Sequence, residues 1–283
     1  MSAEKISQII TSGTNTFLEA VLRYENRIFN KVVKDVLARL EVTKEGKIAS
    51  TAKNRERIVG LANVIRDAFT SSGLYGRMTN LIANFDDIEA NIVSVQKGLN
   101  NINIPPSIVN PVKRLFADQI IFRMQGRGLD VDFVQPLQNE LYRATLMGNN
   151  LADVIGRIET TMLGNSRVQG FVQKYSAQVA RDALGQFQGT VHERIKTEYN
   201  LDATRYVGSL VEDSRKQCAR WVAKRIILDS ELQAEINWAF ANGTGMIQGT
   251  TPSNFLELRG GYNCRHTAIP VRQRKTPANI ITR

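Results

Sequence analysis

The sequence predicts a mainly α protein in which long amphipathic helices form a helical body, followed by a small C-terminal α+β domain. Apolar residues recur at the helical period from Ile6 to about Asn200, and glycine or proline punctuates the runs between them. Beyond Asp202 the composition shifts to a β-branched and aromatic stretch, Thr204-Arg205-Tyr206-Val207-Gly208-Ser209-Leu210-Val211, which reads as a short strand. Together these give three segments: a long-helix region over 1–104, a central helical region over 105–200 and the small α+β domain with a basic tail over 201–283.

The first helix follows from Ile6, Ile9, Ile10, Phe17, Val21, Ile28, Val32, Val36 and Leu40, either unbroken or as two helices in line with a break near Gly13. At 1.5 Å per residue it reaches on the order of 50 Å, enough to bridge neighbours in an assembly or to pack along a bundle. Glu45-Gly46-Lys47 turns the chain, and Thr51-Ala52-Lys53-Asn54-Arg55 opens a second helix with Ile58, Leu61, Ile65 and Phe69 on its apolar face. Ser71-Ser72-Gly73 ends it. A third helix, from Leu74 to about Leu99, carries Met78, Leu81, Ile82, Phe85, Ile88, Ile92 and Val95.

Pro105-Pro106 closes a loop, since proline lacks the N–H donor and pushes its predecessor out of the helical region. Asn110-Pro111 has the form of a helix start, and Gly126-Arg127-Gly128 a stop. Gly148 and Gly164 fall where a left-handed C-terminal residue is wanted. In the last third, Ser214 and Gln217 have capping-box spacing for a helix to about Arg225, Ser230 to Phe240 forms another, and Thr251-Pro252 starts a short one. Thr267-Ala268-Ile269-Pro270-Val271 is the second strand.

With 42% hydrophobic and 23% charged residues, the chain has the composition of a folded protein rather than a disordered one. No apolar run approaches the ~18 residues of a membrane span, and the opening Met1-Ser2-Ala3-Glu4-Lys5 lacks the layout of a signal peptide, so the protein is expected to stay on the side where it is made and to meet no membrane. The net charge of +10 favours polyanionic surroundings or simply solubility. From Arg259 to Arg283 no acid occurs, and Arg272, Arg274 and Lys275 are the residues expected to contact DNA or an acidic partner.

Two cysteines are too few for a disulfide scaffold. Cys218, Cys264 and His266, with Asp213 or His192, include zinc-ligand types, but only Cys264 and His266 form a close pair and the ligand count falls short of the usual four. Neither a metal nor another cofactor is therefore expected. Cys264 and His266 are two apart and would share one face of a strand, yet no oxyanion-hole or nucleophile-elbow motif accompanies them, so no catalytic residues and no enzymatic activity are expected. Gly243-Thr244-Gly245 and Gly126-Arg127-Gly128 lack the strand-to-helix setting of a phosphate loop. Gly260-Gly261 suggests a bend that brings the following side chains back onto the domain core.

Tyr206-Val207-Gly208-Ser209 and Asp213-Ser214-Arg215-Lys216-Gln217-Cys218, paired with Gly260-Gly261-Tyr262-Asn263-Cys264-Arg265-His266, resemble the phage Mu F-like minor head proteins. In that family a D-x-R-x-x-C segment and a terminal N-C-R-H or N-C-R-C segment frame a small domain, followed by a strand like Ala268-Ile269-Pro270-Val271. The resemblance covers about the last third of the chain, from near Ser176. It implies a structural clasp of Asp213, Arg215, Cys218, Gly261, Asn263, Cys264, Arg265 and His266. Many members have a second cysteine three residues after the first; Trp221 stands there in this chain, which speaks against a shared zinc or two-disulfide arrangement and leaves open a contact between Cys218 and Cys264.

The function so implied is that of a minor head or head-morphogenesis protein of a tailed bacteriophage, assembled in the bacterial host cytoplasm and retained in the virion. Its expected partners are the portal, the major capsid protein, other virion proteins and further copies of itself in a ring, with packaged DNA as an additional contact. A non-specific nucleic-acid-binding protein is the alternative reading, and an enzyme using Cys264, His266 and Asp213 the third.

Overall fold

The computed structural model describes residues 3–261 and 264–273. It is mainly helical with a small three-stranded antiparallel sheet near the C-terminus, the architecture expected from the sequence. The helices in order are α1 (Ala3–Asp35), α2 (Ala52–Ser71), α3 (Leu74–Asn100), α4 (Pro106–Gln125), the short α5 (Arg127–Leu129), α6 (Gln135–Leu146), α7 (Leu151–Leu163) and α8 (Phe171–Glu198). There follow strand β1 (Ala203–Val207), α9 (Lys216–Lys224), β2 (Ile226–Leu228), α10 (Asp229–Asn242), the short α11 (Phe255–Leu258) and β3 (Thr267–Val271).

Two compact units emerge. One, the sheet unit, combines 1–11, 84–116 and 182–283; the other, the helical unit, combines 12–83 and 117–181. This differs from a division into three consecutive segments, because α1, α3, α4 and α8 are long enough to contribute residues to both units.

In the helical unit, the α2 face predicted from its periodicity is the buried one: Ile58, Leu61, Ile65 and Phe69 all lie in the core. Phe69 meets Phe133 edge to face at 5.6 Å between centroids. Thr51 caps α2 by accepting from the Asn54 amide. Asn54 is fully buried and pins the preceding turn: its side chain accepts from the Glu41 N–H (2.8 Å) and donates to the Glu41 and Ala49 carbonyls. Between α5 and α6 the residues Asp130–Val134 form a π-helical turn, where Asp130 takes both arms of the Arg66 guanidinium.

In the sheet unit the strand order is β2-β1-β3, both pairings antiparallel, with Ala203 opposite Leu228 on one side and Val271 on the other. Side chains alternate between the two faces. Ala203, Val207, Leu228, Ile269 and Val271 pack with Val95 and Leu99 of α3. Tyr206, Ile227 and Ala268 pack with Cys218 and Trp221 of α9, Leu232, Ile236 and Ala239 of α10, and Phe255 and Leu256 of α11. Gln96 and Asn100 donate to the Pro270 carbonyl, and Pro270 is tolerated because β3 is an edge strand. α11 docks against α8 at Gly189, where a Cβ would come within 2.4 Å of the Glu257 Cα.

Several sequence expectations are corrected. α1 runs through Gly13 without a break. α4 begins at Pro106, where a missing N–H costs nothing, and Pro111 lies inside its second turn. Ser214 does not cap α9; its hydroxyl accepts from the Val211 amide, and Arg215 occupies the cap position. Thr251-Pro252 precedes α11, which starts at Phe255, and the Thr251 amide is taken by Asn254. Strand β2 was not foreseen: at three residues it is too short to show a period, and it exists because Arg225, at φ +64°, ends α9 and turns the chain back along β1. The stops at Gly148 and Gly164 stand, both at positive φ, and β3 covers the predicted residues.

Candidate functional site

Four side chains from three parts of the sheet unit converge behind Gly260. Strand β1 alternation turns Tyr206 inward, the apolar face of α9 presents Cys218, and the chain entering β3 supplies Cys264 and His266. The Cys218 and Cys264 sulfurs are 4.0 Å apart although 46 positions separate them in sequence. The Tyr206 hydroxyl stands 3.3 Å from the Cys264 sulfur and 3.6 Å from that of Cys218. His266 Nδ1 is 3.8 Å from the Cys264 sulfur, and its ring stacks on Tyr206. Cys218 and Cys264 are both free thiols.

The backbone makes room for this cluster. A Cβ on Gly260 would lie 2.5 Å from the Cys218 sulfur and 2.9 Å from both the Cys264 sulfur and the Tyr206 hydroxyl. Gly261 takes φ +97°, and a Cβ there would fall 1.9 Å from the Gly245 carbonyl oxygen. The bend is held by side chains of the Asp213–Cys218 segment: Arg215 donates to the Gly260 carbonyl at 2.8 Å, and the buried Gln217 amide donates to the carbonyls of Thr244 and Gly260.

The electrostatics divide the two thiols. The hydrogen bond from Cys218 holds Cys264 well below the ordinary thiol range, with His266, the Arg259 charge and Tyr206 acting in the same direction. Cys218, the donor of that bond and itself largely buried, is pushed up. Burial, then the neighbouring sulfurs, raises the Tyr206 phenol well above its usual value, so it remains a donor at neutral pH.

Beneath the cluster, Trp221 is fully buried between Tyr206 and Phe255, edge to face with both, and donates its indole N–H to Glu235 at 3.1 Å. Glu235 also takes Arg220 at 2.7 Å and Lys224 at 2.9 Å. Arg220 first, then Lys224, pull its carboxyl down to about 2 from the ordinary 4.5. The folded value is the depressed one, so this contribution is complete above pH 4.5 and disappears as pH falls towards 2. At neutral pH, Glu235→Gln is expected to cost about 1–3 kcal/mol, and the gap between variant and wild type in thermal melts should close over that acid window. A gap unchanged at the acid end would refute the assignment.

Of the residues expected in the clasp, Arg215, Cys218, Gly261, Cys264 and His266 do come together. Asp213 is exposed and makes no hydrogen bond or ion pair among the described residues; it lines a cleft of about 190 Å³ together with Ser209, Arg215, Cys218, Cys264 and His266. Arg265 is exposed, and its carbonyl accepts from Ser7. Asn263, Arg274 and Lys275 lie outside the described residues. Arg272 is exposed, but its guanidinium donates to the Tyr199 carbonyl and its amide to Asn100. His192 is not brought to the cluster: it is buried, its Nδ1 bonds the Ala268 carbonyl at 2.9 Å, and burial lowers its pKa to about 4. Sequence reasoning missed the roles of Gln217, Glu235 and the Tyr206 hydroxyl. A glutamate on the apolar face of its helix, among Leu232, Ile236 and Ala239, gave a faint signal at Glu235, the others none.

Comparison with protein-family models, curated proteins and solved structures gives no match for this chain. Among the described residues, no helix is long and apolar enough to cross a membrane.

Proposed function

We propose that this protein is a structural and assembly component of a tailed-phage virion, a minor head protein acting with portal, capsid or head-tail neck, and not an enzyme. The observation that carries the reading is the meeting of its two signature segments. The Arg215, Gln217 and Cys218 side chains of one close on Gly260 and Cys264 of the other, so residues that resemble the Mu F-like pattern in sequence also make one clasp in space. The bonds that Arg215 and Gln217 donate there go to backbone carbonyls, which suits a fastening rather than a turnover site. Exposed apolar side chains on the helical unit, Leu146 and Met147 above all, supply surface for subunit contacts.

The test is mass spectrometry and cryo-electron microscopy of particles produced by the genome that encodes this chain. Stoichiometric presence, with helical density ordered in a ring at the portal vertex or in an array on the inner capsid, is expected; absence from particles and no affinity for portal or capsid proteins would overturn the reading. The net charge of +10 favours packaged DNA as a further contact. Should the isolated chain instead bind duplex DNA with an affinity falling steeply with salt and show no virion partner, the nucleic-acid reading replaces this one.

A further inference from the structure

We propose that Cys218, Cys264 and His266 form a three-ligand site for a tetrahedral divalent cation of the zinc class, with the fourth position open to solvent in the Asp213-rimmed cleft. The inference goes beyond the virion reading and stands without it. By sequence, Cys264 and His266 are the one close pair among the candidate ligands; the fold brings Cys218, and among the described residues neither His192 nor a full set of four, to them, and one donor atom from each of the three lies within 4.8 Å of the others.

Two of the three separations lie close to those the ion sets, and the third, Cys218 to His266, falls within 4.8 Å. Zinc bonds of about 2.3 Å to sulfur and 2.0–2.1 Å to imidazole nitrogen, at tetrahedral angles, set S···S near 3.8 Å and S···N near 3.6 Å. The corresponding separations here are 4.0 Å for the two sulfurs and 3.8 Å for Cys264 to His266 Nδ1. A disulfide would instead need the sulfurs to close to about 2.0 Å. Two thiolates and a neutral imidazole bring a dication to zero net charge, the condition under which a largely buried site is affordable. Binding releases to solvent whatever protons the ligand sulfurs still carry.

The surroundings are those of a held ligand set. His266 is buried, yet Nδ1 faces only a sulfur and Nε2 has no hydrogen-bond partner among the described residues, an uncommon state for an imidazole with nothing to bind. Tyr206 is placed to donate to either sulfur, as an outer-shell group does for a metal thiolate. Gly260 leaves the volume against both sulfurs free of a side chain. The cleft lined by Asp213, Ser209 and Ser214 gives the fourth position access to water.

The experiment is a cobalt titration of the full chain, purified reduced and stripped of metal, followed by displacement with zinc. About one cobalt per chain is expected, with the intense visible bands of a tetrahedral ion and a near-ultraviolet thiolate-to-cobalt band, both abolished by zinc. Cys264→Ser and His266→Gln should each weaken binding by more than the ~10–100-fold that loss of an outer-shell partner costs, whereas His266→Cys should retain stoichiometric binding with a stronger thiolate band. If the serine variant fails to fold, the wild-type and His266→Cys spectra still decide. A folded protein with two reactive thiols and no thiolate-to-cobalt band, or one that forms a Cys218–Cys264 disulfide in place of binding metal, would overturn the proposal.

Discussion

Trp221→Ala is expected to destabilise the sheet unit by about 3–5 kcal/mol, the cost of removing a large buried aromatic. The ring is fully buried and meets Tyr206 at 5.3 Å and Phe255 at 5.1 Å, so its loss opens a void beneath the two cysteines. The loss is not only one of packing, because the indole N–H helps satisfy a carboxylate that is 4% exposed. Trp221→Phe separates the two parts: it restores most of the apolar volume but not the donor, and should cost about 1–2 kcal/mol. Urea unfolding followed by far-ultraviolet circular dichroism measures both. Equal losses in the two variants would mean that the hydrogen bond to Glu235, rather than packing, dominates. Position 221 therefore serves the core of the sheet unit.

Gly261→Ala should be nearly as damaging, by about 2–5 kcal/mol, for two reasons that add. A side chain at φ +97° is strained by about 1–3 kcal/mol, and the new Cβ would stand 1.9 Å from the Gly245 carbonyl oxygen, a backbone atom that cannot swing aside. Gly249→Ala is the matched control: φ is +83°, but nothing lies within 4 Å of the added carbon, so only the conformational part, about 1–2 kcal/mol, is expected. The difference between the two melts isolates the clash. Identical melts would show that the Gly245–Gly261 approach is looser than a 1.9 Å clash requires, and with it the bend that delivers Cys264 to Cys218.

Much of the architecture was legible. The α2 and α3 faces follow from apolar spacing, the stops at Gly148 and Gly164 from the need for positive φ, and β3 from a run of β-branched residues. Each of these is decided by residues within a few turns of one another, where period and backbone preference act directly. The errors also have local causes: Pro105-Pro106 and Asn110-Pro111 competed for one helix start, and Ser214 had the right spacing for a cap but accepts instead from an amide of its own turn.

The sequence by itself determined that the chain is mainly helical, that a small sheet domain follows, and that Cys264 and His266 act as neighbours, because all three are written in short-range pattern. Only the tertiary structure decided that Cys218 completes their cluster, that the Tyr206 hydroxyl reaches both sulfurs, that Glu235 accepts from Trp221, and that the long helices contribute residues to both compact units. Those pairings span between 12 and 58 positions or more, and they arise when separate apolar faces are buried against one another, a choice among many packings that no local period encodes.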